Sequence, residues 1–479
     1  MSLKDNVISG IAWNACSRVV NIGLQFVITI ILARLLSPSD FGLIAMMVVF
    51  MGFAAVLSDP GFAAALIQKG EIEDRHVSSV FWLNIMIGAM LMGTLIALGN
   101  FITGFYHEPR LAAIVPLVSS VFFINAFKSV HVALLTRALA FRRLAVMDTL
   151  TTLVAGAVAI ALALRGHGVW SLAWQAVVSS LIGAIIVWWI SDWRPRHRFD
   201  LGAVRELLNF SMNLFGFNAY NYWAKNIDNL LIGKFIGSAG LGIYSKAYEF
   251  LMIPVNHISA TVGQVMYPSM SRIKDDKKEV KIIYLEALRG IAFVSFPLMI
   301  GLCVVADSFV LALYGERWAG MIPILQIFCV LGVIHSVAAT AGWIYQSQGR
   351  TDWFFRWGIF SSSITVGGII AGVVIGTPVA VALCFAITSG IIHIYPNFSI
   401  PGRLIGMSLK DVCWSVSDVF ACAVLMAVGV WSLGCCLPAS WLPWSRLLAQ
   451  VSCGAVLYTL LSHLFRLQTY IRLKHHAAG

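Results

Sequence analysis

Ile31-Leu32-Ala33-Arg34-Leu35-Leu36-Ser37-Pro38-Ser39-Asp40-Phe41-Gly42-Leu43 has a second copy 200 residues on, Leu231-Ile232-Gly233-Lys234-Phe235-Ile236-Gly237-Ser238-Ala239-Gly240-Leu241-Gly242-Ile243. Aligned without gaps, Arg34 meets Lys234, Gly42 meets Gly242, and apolar residues meet apolar ones. Each copy links two long apolar runs, so each is the turn of a helix hairpin. Six such runs separate the copies, an even number, and both halves therefore keep the same orientation. That is a parallel repeat about an axis along the membrane normal, an arrangement by which transporters place a substrate site between halves. The alternative is that two hairpins share turn chemistry by chance.

Composition supports the membrane. Of 479 residues, 59% are hydrophobic and 11% charged, with a mean hydropathy of +0.84. Soluble domains carry roughly 25% charged residues, so this chain cannot clothe a water-facing surface. Soluble enzymes, disordered chains and coiled coils are excluded together. Nine cysteines lie mostly in apolar runs without CxxC or zinc spacing and read as small buried hydrophobes. No cleavable signal peptide is expected, because the apolar run from Ile8 is of full span length and contains Asn14, Arg18 and Asn21.

A helix crosses about 30 Å of hydrocarbon with roughly 20 apolar residues. Fourteen runs qualify: 11–33, 42–66, 77–101, 111–135, 146–164, 169–190, 207–233, 241–266, 283–306, 321–345, 353–373, 377–397, 415–433 and 447–465. The expected fold is an all-α polytopic membrane protein. Residues 1–200 form an N-terminal six-helix half and residues 201–400 a C-terminal one. Residues 401–479 add two transmembrane helices and a cytoplasmic tail. Segments on the N-terminal side of the membrane hold 22 Lys and Arg, against 6 on the other side and 5 inside spans. Lys/Arg-rich short loops face the cytoplasm, so both termini are expected there. The net charge of +11 is then mostly topological, and nucleic acid is not an expected partner.

Charges inside spans cost about 2.5–3.5 kcal/mol each on insertion scales and mark substrate or ion pathways by default. Arg18 sits midway along the first span, with Asn14, Asn21 and Gln25 on its face, and faces either a packed neighbour or a water-filled lumen. Lys128 lies about two turns inside the fourth span, with His131 one turn on; both snorkelling and a cavity-facing role fit it. Lys225 and Asp228, like Lys246 and Glu249, stand three apart and can meet on one helix face. They read either as structural ion pairs or as coupling sites. Asn218, Asn221 and Asn229 add polarity nearby. Asp59, before Pro60-Gly61, either caps a broken helix or binds a proton or cation. Arg289 and Glu286 lie close enough to a span end to snorkel. There is no DxD, Walker P-loop, GxSxG or HExxH pattern. No catalytic site, bound metal or cofactor is expected.

Leu32 to Gly42 resembles the LAR-LL-P-x-(D/E)-F/Y-G signature of the polysaccharide transporter family. So does Asn226-Ile227-Asp228-Asn229-Leu230-Leu231-Ile232-Gly233-Lys234-Phe235, followed by Leu241 to Tyr248. These are lipid-linked oligosaccharide flippases of the multidrug/oligosaccharidyl-lipid/polysaccharide exporter superfamily. The likeness covers the whole chain and is nearest to exporters of colanic-acid-type exopolysaccharide. It implies a transporter of the bacterial inner membrane that moves an undecaprenyl-pyrophosphate-linked oligosaccharide by alternating access, for exopolysaccharide or lipopolysaccharide biosynthesis. It further implies coupling to H+ or Na+ and contact with a polysaccharide assembly machinery. A cationic cavity of Arg18, Lys128, Lys225 and Lys246, lined also by Asn14, Asn21, Gln25 and Asn221, suits a pyrophosphate. Asp228, Glu249 and Asp59 are the candidates for ion coupling or ion pairing. Two other readings compete: a multidrug efflux transporter of the same superfamily, and a membrane glycan polymerase or ligase. Span-interior cations weigh against the first, and short outward loops against the second.

Overall fold

The computed structural model describes residues 3–58, 62, 66, 72–196, 199–202, 222–223, 225–438 and 440–465, with residues 3–16 and 18 described as backbone only. The described residues form helices joined by short connections, and no strand occurs among them. They divide into two compact units, Met1–Gly242 and Ile243–Gly479.

The first unit contains α1 (Leu3–Leu35), α2 (Pro38–Ser58), α3 (Asp74–Ala97), α4 (Gly99–Tyr106), α5 (Leu111–Arg137), α6 (Phe141–Leu164) and α7 (Val169–Ile190). A further helix covers residues 225–235, and α8 (Ser238–Ile253) begins at the unit's end. α1 packs on α6, α6 on α7, α7 on α5 and α5 on α3. In the second unit α8 runs through a π turn (Pro254–Ser259) into α9 (Ala260–Arg272). Then come α10 (Lys277–Val304), α11 (Ala306–Leu313), α12 (Met321–Ala338), α13 (Ala341–Ser347) and α14 (Thr351–Ile375). α15 (Pro378–Ala386) widens into a second π turn (Ile387–Ile392) before α16 (His393–Gly402), and α17 (Leu409–Cys436) and α18 (Pro443–Leu464) close the chain. α10 is the hub, with α12 and α17 against it; Tyr284, Leu288 and Ala292 interlock there with Val419, Cys422 and Ala423, all at most 1% exposed. Pro116 lies inside α5 and Pro297 inside α10.

Eleven described helices are long and apolar enough to cross a membrane. Within their most apolar windows only 17% to 56% of residues are buried inside the protein. Trp189 is 86% exposed, Val374 81% and Trp414 83%. Helices apolar on faces that no described residue covers belong in lipid, and the chain is a multi-pass membrane protein. The spans expected at 11–33 and 241–266 correspond to α1, whose apolar stretch is Val19–Leu35, and to α8 with α9. The span expected at 207–233 lies largely outside the described residues. So do Asp59 and the Pro60-Gly61 break.

The repeated motif shows why its residues are those. Ser37 caps α2: its Oγ donates to Asp40 Oδ2 (2.7 Å) and its amide to the same oxygen (2.9 Å), while Ser37 Oγ accepts from the Asp40 amide (3.3 Å). That is a capping box with Pro38 at the first helical position, where a missing N–H costs nothing. In the second copy Gly237, at φ +96°, closes the preceding helix in a left-handed conformation that its amide anchors on Ile232 O (3.0 Å). The two copies then meet reciprocally. A Cβ on Gly42 would collide with the backbone carbonyl of Ser238, and one on Gly242 with that of Pro38.

A ring of polar groups seals the contact. Ser39 and Ser238 hydroxyls lie 3.0 Å apart, Ser238 donates to Glu108 (2.6 Å), Arg110 donates to Ser39 (2.9 Å), and Arg110 pairs with Glu108 at 3.2 Å. Lys234 donates to Phe105 O and stands 4.9 Å from the Phe105 ring centroid. Gly42→Ala and Gly242→Ala are each expected to cost about 1–3 kcal/mol by overpacking, and Asp40→Ala about 1 kcal/mol through the lost cap. Thermal unfolding of detergent-purified protein checks this. A glycine variant that melts with the parent would show that the backbone contact is not made.

Candidate functional site

Charges inside apolar helices have to be met by something, and in the first unit α5, α6 and α7 meet one together. Lys128 of α5 reaches to Gly183 of α7, where an added Cβ would stand 3.3 Å from its Nζ and 3.7 Å from Thr151 Oγ1 of α6. Glycine at 183 is therefore what leaves room for the ammonium. The charge that opposes it is Asp148, one turn before Thr151 on α6. The sequence reading did not single out Asp148, which falls at the edge of the fifth apolar run. His131 is fully buried, with Nδ1 3.0 Å from Ser191 Oγ and Trp188 and Trp193 within 5.2 Å between ring centroids. It is a packing histidine.

α1 brings its polar face to the same helix α6. Asn21 Nδ2 donates to Thr149 Oγ1 (3.1 Å) and to Ser17 O (3.0 Å). Thr149 adjoins Asp148, so Asn21 and the Lys128–Asp148 pair flank one stretch of α6. Gly156 lets Ile28 of α1 pack against α6 one to two turns further on. Gln25 is exposed. Arg18 lies three residues before Asn21 on α1; its side chain and that of Asn14 lie outside the described residues, as does Asn221. Asn21 thus meets a packed helix, one of the two alternatives for this face.

The two i,i+3 pairs differ. Lys246 and Glu249 form an ion pair at 2.7 Å, with the lysine side chain 14% exposed and the glutamate 59%. Lys225 is exposed, whereas Asp228 is buried, with its Oδ1 accepting from the Asn229 amide at 2.8 Å. Arg289, expected to snorkel, instead pairs with Asp418 across α10 and α17. Nothing in the spacing signals a partner 129 residues away. Lys281 and Asp411 make a second bridge between the same helices at 2.8 Å. No group of three or more His, Cys, Asp or Glu side chains is placed to hold a metal ion among the described residues.

What this arrangement offers is a fixed cation and uncharged hydrogen-bonding groups within helices, opposed by the exposed carboxylate of Asp148. Known proteins resemble the chain along most of its length. The lipopolysaccharide biosynthesis protein WzxC of Escherichia coli is 27% identical over 91% of this chain and 89% of its own. The succinoglycan biosynthesis transport protein ExoT of Rhizobium meliloti is 27% identical over 95% and 92%. The teichuronic acid biosynthesis protein TuaB of Bacillus subtilis is 28% identical over 96% of both. Among solved structures, the lipid II flippase MurJ in an inward closed conformation superposes with a TM-score of 0.75 over 94% of this chain and 98% of its own, at 15% identity. An inward-facing multidrug MATE transporter superposes with a TM-score of 0.61 over 83% and 94%, at 16% identity. These likenesses establish the fold. Residues 31–323 match the polysaccharide biosynthesis protein family, and the chain belongs to it.

Proposed function

We propose that the protein is a flippase that carries an undecaprenyl-pyrophosphate-linked oligosaccharide from the inner to the outer leaflet of the bacterial inner membrane. It works by alternating access driven by a proton or sodium gradient, with both termini in the cytoplasm. The observation that carries the reading is the similarity to a succinoglycan biosynthesis transport protein along nearly all of both chains. The chemistry agrees. A pyrophosphate crossing a membrane needs cations that remain charged in an apolar setting, and span-interior Arg18, Lys128, Lys225 and Lys246 supply them. Export of organic cations would instead favour acidic and aromatic groups there.

The candidates have unequal freedom. Lys246 is committed to Glu249, and Asn21 spends its amide on Thr149, which makes both supporting groups. Lys225 and Gln25 are exposed and available to a ligand, as polar lining with Asn14 and Asn221. Arg18 and Lys128, the latter opposed by Asp148 but not bridged to it as Lys246 is to Glu249, are the leading pyrophosphate contacts. Asp228, a buried carboxylate, Glu249, ion-paired with Lys246, and Asp59 are the ion-coupling candidates. The 22-to-6 distribution of loop cations supports the topology.

Four outcomes test this. Reporter fusions after Arg143, Pro195 and Lys278 are expected to be cytoplasmic and those after Pro109 and Trp318 periplasmic; inversion at two of these sites refutes the orientation. Deleting the gene is expected to abolish one surface or secreted polysaccharide while its lipid-linked repeat unit accumulates. A deletion strain that exports every polymer but becomes sensitive to cationic dyes favours efflux. Arg18→Ala is expected to keep protein level while export falls at least tenfold, and Arg18→Lys to keep part of it, since the charge survives without the bidentate fork. The double variant Lys128→Met/Asp148→Asn removes the charge pair together, so protein level is expected to hold while export drops; normal export would make the pair purely structural.

A further inference from the structure

The second unit contains a cleft of about 250 Å³ whose polar wall is His335, Ser361, Thr365, Ser389, His393 and Asn397. Four helices supply it. Both π turns border it, the first through Val255 and the second through Ser389. π turns are rare and frequently mark functional sites. His393 is 6% exposed; its Nδ1 lies 3.2 Å from Ser361 Oγ, and its Nε2 is buried without a hydrogen-bond partner. His335 Nε2 lies 3.4 Å from the carbonyl of Ser389. A carbonyl only accepts, so Nε2 carries the proton and Nδ1 is left as an acceptor. Asn397 is anchored at both ends, donating to Ala338 O (3.1 Å) and accepting from Trp357 Nε1 (3.3 Å).

The lining decides what the cleft takes. No Asp, Glu, Lys or Arg is among its lining residues. A phosphate would find no cation there, and a cation no carboxylate. An acyl chain would leave the polar groups unsatisfied. Without a counter-charge the two imidazoles work as neutral groups, each with one donor and one acceptor nitrogen. Hydroxyls that donate and accept match that set. The volume lies below the roughly 300–1,000 Å³ of pockets for drug-sized ligands, which suits one ring.

We propose that this cleft binds a single neutral sugar unit of the lipid-linked oligosaccharide, so that the pyrophosphate and the glycan are held by different residues. The proposal rests on the flippase reading. Its test uses the full-length protein in nanodiscs with two probes: sugar-free undecaprenyl pyrophosphate, and lipid-linked oligosaccharide extracted from cells lacking the gene. The parent protein is expected to bind the second more tightly. Thr365→Val, which keeps shape and loses a hydroxyl, and His335→Leu are expected to cut that preference about three- to tenfold, the range of one or two neutral hydrogen bonds. Affinity for the sugar-free lipid and the melting temperature should stay unchanged. Retention of the preference by both variants, or equal loss toward both lipids, overturns the sugar site while leaving the flippase reading intact. Failure of the parent protein to bind either lipid overturns both.

Discussion

Two helix turns can meet at backbone distance only where a glycine on one faces the backbone of the other, and the crossing of Gly42 over Ser238 and of Gly242 over Pro38 is such a place. The starts of α2 and α8 are fixed by it. The Arg110–Ser39–Ser238–Glu108 ring then ties the α4–α5 connection to the same point. Lys234 adds a hold on the end of α4 through Phe105. Backbone contact of this kind gains van der Waals packing in lipid, where hydrophobic burial between helices supplies little. The capping box of Ser37 and Asp40 makes the turn rigid enough to be placed. The signature is thus a joint, and its glycines are needed for space.

The second constraint is solvation. A charge in hydrocarbon is costly without an opposite charge: across helices Lys128 is opposed by Asp148, Arg289 bridges Asp418, and at the helix ends Lys281 bridges Asp411. The last two pairs stitch α17 to α10, and Tyr458 of α18 donates to Phe293 O of α10 at 2.8 Å. The helices beyond the repeat are therefore held to the second unit by polar bonds as well as by the Tyr284–Val419 core.

Much of this was legible beforehand because it is local. Apolar run length located most of the described helices, and the 200-residue offset picked out two like turns, although not that they touch. The i,i+3 spacing of Lys246 and Glu249 forecast their ion pair. What could not be read lies between distant segments. Lys128 has no opposite charge on its own face, and Asp148 looks like an ordinary span-edge residue until α5 and α6 are packed. Arg289 has the position of a snorkelling residue, and only the docking of α17 supplies Asp418. The cleft of His335 and His393 assembles neutral residues from four helices, none unusual by itself. Neutral polar groups carry no insertion cost large enough to draw attention in a sequence.

The two π turns have a geometric consequence. An α-helix turns about 100° per residue, and a π turn accommodates one residue more than an α turn. Beyond Ser259 every side chain of α9 is therefore rotated by about that angle from where α8 would have carried it. The same holds for α16 after Ile392. Each of these long runs is in effect two helices with different fronts. The front of α8 is set by the tight joint at Gly242, and the front of α9 is free to answer to its own neighbours, Trp343 against Gly263 among them. Deleting one residue from either wide turn would bring the two fronts back into phase and point the far segment's packing residues at the wrong partners.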